Sequence, residues 1–281
     1  MHSASSAVLA RLGRVRVTLL YAATLAAVAV GVAHLRPQVQ QSVMRQVSTN
    51  LHNLGEGRIG TLISSAFVNE AGPVYLWLPG LVALLALGEL LWESRRMVLA
   101  FVIGHVGATL LVAAGIAAAL TAGWVSSSIV DATDVGMSYG AVAVMGSFTA
   151  AIPRRWRAGW AGGWLAVAFG SVVLSGGQFT NVGHAVALVL GMAVGARFGA
   201  PRRWTPPRYA LLVVAAGFSY LLMAYGDLTI TATAGLGLLG AIVAQVLSLF
   251  AQTNSSALDS IQSDSQVSGG DSSSSPGISH S

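Results

Sequence analysis

"DATDVGMSYGAVAVMG", residues 131–146, passes from two aspartates into an unbroken apolar run, and at the boundary stands Ser138 between Gly136 and Gly140. An apolar run of this kind reads as a helix inside a membrane. A second stretch, "NVGHAVALVLGMAVG" (181–195), is built the same way, with His184 near its start. Whether the serine and the histidine matter depends on whether the fold brings these two stretches together.

The rest of the chain supports the membrane reading. Of 281 residues, 54% are hydrophobic and 9% are charged, where a soluble domain carries about a quarter charged residues. A span needs roughly 20 mostly apolar residues. Eight candidates fit, at about 17–35, 74–92, 97–120, 136–152, 159–175, 182–199, 209–226 and 230–250. The expected fold class is all-α, a polytopic membrane helix bundle. The first span follows Arg11, Arg14 and Arg16 and is longer than a signal peptide's apolar core, so it reads as a retained anchor. There is no cysteine, which excludes disulfides and thiolate metal sites, and no metal-ligand cluster or cofactor motif is found.

All fifteen basic residues are arginine, and twelve fall at one end of an eight-span bundle: near the N-terminus and in the links after spans two, four and six. The three others, Arg36, Arg45 and Arg58, share one loop at the opposite end. The positive-inside rule then places both termini in the cytoplasm of a multi-pass plasma-membrane protein. The same distribution accounts for the basic character of the chain, so nucleic acid is not an expected partner. The expected organisation is a cytoplasmic N-terminus (1–16), a membrane core (17–200) with an outer loop at 36–72, further spans within 201–250, and a disordered Ser/Gly-rich tail over 251–281.

In this topology spans four and six run in the same direction, with Ser138 and His184 both near their outer ends. Gly183, Ala187, Gly191, Gly195 and Gly199 recur at every fourth position. Gly136, Gly140, Gly146 and Ser147 offer small residues on span four. Small residues at this spacing allow membrane helices to pack backbone to backbone. A serine hydroxyl becomes a nucleophile when a neighbouring base takes its proton, and a neutral histidine is such a base. The ordinary alternatives are a serine bonded to its own backbone and a histidine bridging two helices.

At these segments the chain resembles the rhomboid family of intramembrane serine proteases. "GMSYGAVAVMG" (136–146) follows the family's serine motif without a gap, and "NVGHAVALVLGMAVG" follows its histidine helix. "LISSAFV" (62–68) and "GELLWE" (88–93) are similar to its entry into, and exit from, span two. The resemblance covers roughly residues 15–200 and implies a six-helix core followed by one or two extra C-terminal transmembrane helices. It also implies Ser138 as nucleophile and His184 as base.

The family's oxyanion-hole histidine and asparagine on span two correspond to Leu76 and Gly80, which have no side-chain donor. The glycine after its serine corresponds to Tyr139, and the Trp-Arg pair of its outer loop is absent. Gly136, Tyr139 and Asn69 are the candidates for auxiliary roles near Ser138, and Gly140, Gly183, Ala187, Gly191 and Gly195 for helix packing. His105, on span three, is expected to be structural. Glu89 is expected to pair with Arg95 or Arg96. Trp156, Trp160, Trp164 and Trp204 read as interfacial anchors.

Three functions follow: an endopeptidase acting on transmembrane proteins, a non-proteolytic protein that binds client helices in the bilayer, or a transporter or channel. The sequence does not fix an oligomeric state.

Overall fold

The computed structural model describes residues 12–69, 72–224 and 227–270. It is built from helices, and no strand occurs among the described residues. α1 (Arg16–Ala33) is the first span. A looped segment follows with three short helices, α2 (Pro37–Val47), α3 (Leu51–Gly55) and α4 (Thr61–Ser64). α5 (Val74–Thr121) is two spans joined at a kink, where Glu93 takes φ 68° and ψ 160°. α6 (Ser138–Ser147), α7 (Arg154–Leu174), α8 (Phe179–Gly195), α9 (Pro206–Met223) and α10 (Asp227–Gly270) complete the bundle. Four of the described helical segments are long and apolar enough to cross a membrane by themselves: Gly13–Ala33, Val74–Thr121, Pro206–Met223 and Thr229–Thr253.

α6 lies at the centre. It has ten residues, all buried except Ser138, and an Ala/Val/Gly/Met helix that is apolar all round belongs inside a bundle rather than at its surface. At about 1.5 Å per residue it spans about 15 Å, half of a bilayer's hydrocarbon core. The span expected over 136–152 is thus a short helix finished by a 3-10 turn, Phe148–Ala150. Ser138 consequently sits part-way into the bundle.

Glycines let the neighbours close on α6. A Cβ at Gly104 would collide with Ala143, one at Gly146 with the Leu188 carbonyl, one at Gly191 with the Ala143 backbone and one at Gly195 with Ser147. The small-residue stripe of α8 therefore does meet the serine helix, but on the face carrying Ala143, Gly146 and Ser147. Gly140 lies elsewhere, under the Phe101 ring of α5.

α10 packs along α7 in the opposite direction through a second set of small residues. Gly162 faces Gly240 and Ala244, and Gly170 faces Thr233 and Leu236. Gln245 fixes the register: its Oε1 accepts from Gly159 N (3.2 Å) and its Nε2 donates to the Arg155 carbonyl (2.7 Å). α9 fills the space beside the first arm of α5, with Phe218 directly over Gly80.

Two expectations change. Glu89 is buried at 3% exposure and does not pair with Arg95 or Arg96. It caps the first span instead, accepting from Val17 N (3.1 Å), Thr18 N (2.9 Å) and the Thr18 hydroxyl (2.8 Å), with Ser94 Oγ donating at 2.6 Å. A carboxylate at a helix N-terminus satisfies orphan N–H groups and complements the helix dipole. Trp160 and Trp164 pack on the core, and Trp204 donates to the Ala151 carbonyl, so of these four tryptophans Trp156 alone stays exposed. The helix of α10 runs to Gly270, and residues 271–281 of the expected tail lie outside the described residues. No proline or arginine cluster interrupts the helix as it leaves the span, so it propagates into the polar segment.

Candidate active site

Ser138 is the first residue of α6, and the loop before it is tied down from the other side of the bundle. Thr49 N donates to the Asp134 carbonyl (2.9 Å), Asp134 N donates to Ser48 Oγ (2.8 Å), and Gly136 N donates to the Ser65 carbonyl (2.9 Å). Gly136 has φ +122°, a value that L side chains rarely adopt, and it places the serine at the turn into the helix. Asn69 approaches Gly136 from the loop, with its Oδ1 3.4 Å from the position a Cβ would occupy there. The segment 48–69 therefore forms one wall of the site.

His184 lies five residues into α8 and is 5% exposed. Tyr139, Ala143 and Ser147 on α6 meet Gly183, Gly191 and Gly195 on α8 in the same order along both chains, so the two helices run parallel. Each helical residue turns about 100°. Ser138, one position before the contact row on α6, and His184, one position after it on α8, therefore project to the same flank of the interface.

The two side chains are not joined. Neither ring nitrogen of His184 has a hydrogen-bond partner among the described residues. The Ser138 hydroxyl, partly exposed, has none either. The nearest ring to His184 is Tyr139, edge to face with centroids 5.4 Å apart and 81° between planes. The Tyr139 ring lies against Gly183, in space that any side chain at 183 would fill. Its hydroxyl is directed towards Asp134 and Thr180 without closing a short hydrogen bond to either. Asp134, in the link before α6, has its carboxyl pushed up from the ordinary 3.8 to about 6 by burial, against the opposing effect of the Thr49 and Tyr139 hydroxyls.

The span-two positions supply no donor. Leu76 points outward, 68% exposed, and Gly80 is covered by Phe218. His105 is 4% exposed and takes up the Ser65 hydroxyl, with Oγ and Nε2 3.2 Å apart. This Ser–His contact is not legible in the sequence, because it joins the loop after α4 to the second arm of α5 across 40 residues of chain. Among the described residues no group of three or more metal-ligating side chains forms.

No curated protein and no solved structure matches the chain. The sequence model of one family, described as rhomboid-like protein, matches residues 12–198, from the turn before α1 to just past α8. That range takes in both segments carrying Ser138 and His184 and leaves out α9 and α10. The chain belongs to the rhomboid-like protein family.

Proposed function

We propose that this rhomboid-like membrane protein is an intramembrane serine endopeptidase, with Ser138 as nucleophile and His184 as general base and then acid. The observation that carries the reading is that neither residue spends its polar atoms on a hydrogen bond among the described residues. His184 is buried with both nitrogens unpartnered, and Ser138 does not bond its own helix. Buried polar groups almost always find partners, and an ionisable side chain in a span is a functional suspect by default.

In the reaction His184 takes the Ser138 proton as Oγ attacks the scissile carbonyl. It returns that proton to the leaving amine, and water then hydrolyses the acyl-enzyme. The arginine distribution favours cytoplasmic termini in the plasma membrane, so the site would open on the outer side. Substrates would be transmembrane proteins.

A second reading, a non-cleaving partner of client helices, is favoured by specific observations. The Ser138–His184 hydrogen bond is not formed, Tyr139 packs on the histidine, and Leu76 and Gly80 cannot donate to an oxyanion. Loss of one oxyanion donor costs about 100- to 1,000-fold in rate. An apolar groove of about 560 Å³ between α1 and the second arm of α5, lined by Leu20, Tyr21, Phe101 and Val102, opens to the bilayer and offers a client helix a place to lie.

Labelling of the detergent-purified protein with a fluorophosphonate separates the two. Label on the wild type that disappears in both Ser138→Ala and His184→Ala supports the peptidase. An unlabelled, folded wild type beside a labelled rhomboid protease sinks it and leaves the client-binding reading.

A further inference from the structure

A cleft of about 690 Å³ opens between α1, the amphipathic α2 and the start of α5, at the end of the bundle away from the arginine-rich links. Its two sides differ in chemistry. Val28 and Val32 of α1 and Val74 of α5 form an apolar wall that runs into the membrane. Gln41 and Arg45 of α2 form the rim, where α2 lies across the mouth. Arg45 is exposed and makes no ion pair among the described residues; Glu70, next to the cleft residue Asn69, lies outside them. Arg58, on the same loop, is paired with Glu56 at 2.8 Å.

A cavity with an apolar wall at acyl-chain depth and a lone guanidinium at headgroup depth has the polarity of one class of molecule. We infer that the cleft holds a phospholipid, with an acyl chain along Val28, Val32 and Val74 and its phosphate on Arg45 and Gln41. Guanidinium binds phosphate oxygens through paired, charge-assisted hydrogen bonds. The chain adds the stabilisation of buried CH₂ groups that would otherwise leave the cleft poorly packed. An anionic headgroup is preferred over a zwitterionic one, because Arg45 makes no ion pair among the described residues, and Asp131, the acid that shares its polar pocket, lies against His52 at 3.8 Å. A transmembrane helix is a poorer occupant, since its apolar surface would leave Arg45 desolvated and unpaired. The lipid would tie α2 to α1 and α5 and so support the loop that holds Asn69 and Ser65 beside the Ser138 segment. The inference does not depend on whether the protein cleaves.

The test is native mass spectrometry of delipidated full-length protein titrated with phosphatidylglycerol and, separately, phosphatidylcholine. One phosphatidylglycerol should bind more tightly than phosphatidylcholine. Arg45→Gln should weaken it by about tenfold, the usual scale of one charge-assisted contact, and abolish the headgroup preference. Ala29→Trp, which places a ring in the cleft, should remove the bound lipid while leaving Arg45 in place. Arg36→Gln, an exposed arginine outside the cleft, should change nothing. Equal binding of the two lipids, or binding unaffected by both Arg45→Gln and Ala29→Trp, overturns the proposal, as does an equal loss in Arg36→Gln.

Discussion

Tyr139 and His184 are matched to each other across the α6–α8 interface: the rings meet edge to face at 5.4 Å, and Gly183 beside the histidine leaves room for the tyrosine and nothing more. The residue after Ser138 thus occupies the ground next to His184. This relationship sets the energetics of the site, because the ring fills a gap that two close-packed helices would otherwise leave empty.

Gly183→Ala should destabilise the protein by about 1–3 kcal/mol, the usual cost of forcing a methyl into a packed core. In a Tyr139→Ala background the same substitution should cost much less, because the methyl then has space. Thermal unfolding in detergent, followed by tryptophan fluorescence, gives the four corners of the cycle. Additive losses would mean that the two residues do not share this space.

Asp134 makes stability depend on pH. Its carboxyl is raised from 3.8 to about 6 in the folded protein, so between those values the native state binds the proton more readily than the unfolded chain. The associated stability is present below about pH 4 and is lost as pH rises through 6. Asp134→Asn should flatten this component, and the variant should unfold at a higher temperature than wild type at pH 7. An identical pH profile for the two proteins would refute the assignment.

Glu89→Gln should weaken the attachment of α1. The substitution replaces a carboxylate that accepts from two backbone N–H groups and two hydroxyls, so a loss of about 1.5–3 kcal/mol is expected for hydrogen bonds to a charged group. Protease accessibility near residues 12–18 should rise with it. A variant as stable and as protected as wild type would show that the cap is dispensable.

Glu93→Gly should stabilise the fold. Glu93 sits at φ 68°, ψ 160°, a region populated almost only by glycine and costing other residues about 1–3 kcal/mol. Its ion pair with Arg202 (2.7 Å) joins two side chains that are more than half exposed, and such pairs contribute little. The midpoint of unfolding should therefore rise. A fall would mean that the Glu93–Arg202 pair outweighs the strain.

Composition and apolar run lengths were enough to give an all-helical membrane bundle, because a lipid environment leaves a chain few other ways to satisfy its backbone. The four-residue spacing on 183–195 likewise points to a close helix contact, since a stripe of small residues lets two backbones approach. What the spacing did not carry was which face of α6 would meet it. That was decided by Ala143, Gly146 and Ser147, while Gly140 went to Phe101. α6 is bounded by Gly136 at φ +122° before it and the 3-10 turn Phe148–Ala150 after it, and the capping of α1 by Glu89 comes from contacts 71 and 72 residues apart in the chain. The packing of the Tyr139 ring on His184 has the same origin. Local sequence sets which segments become helices and which stripes are small or apolar; the rotation of each helix about its axis, and so the partner of each side chain, is fixed only when all the helices pack at once.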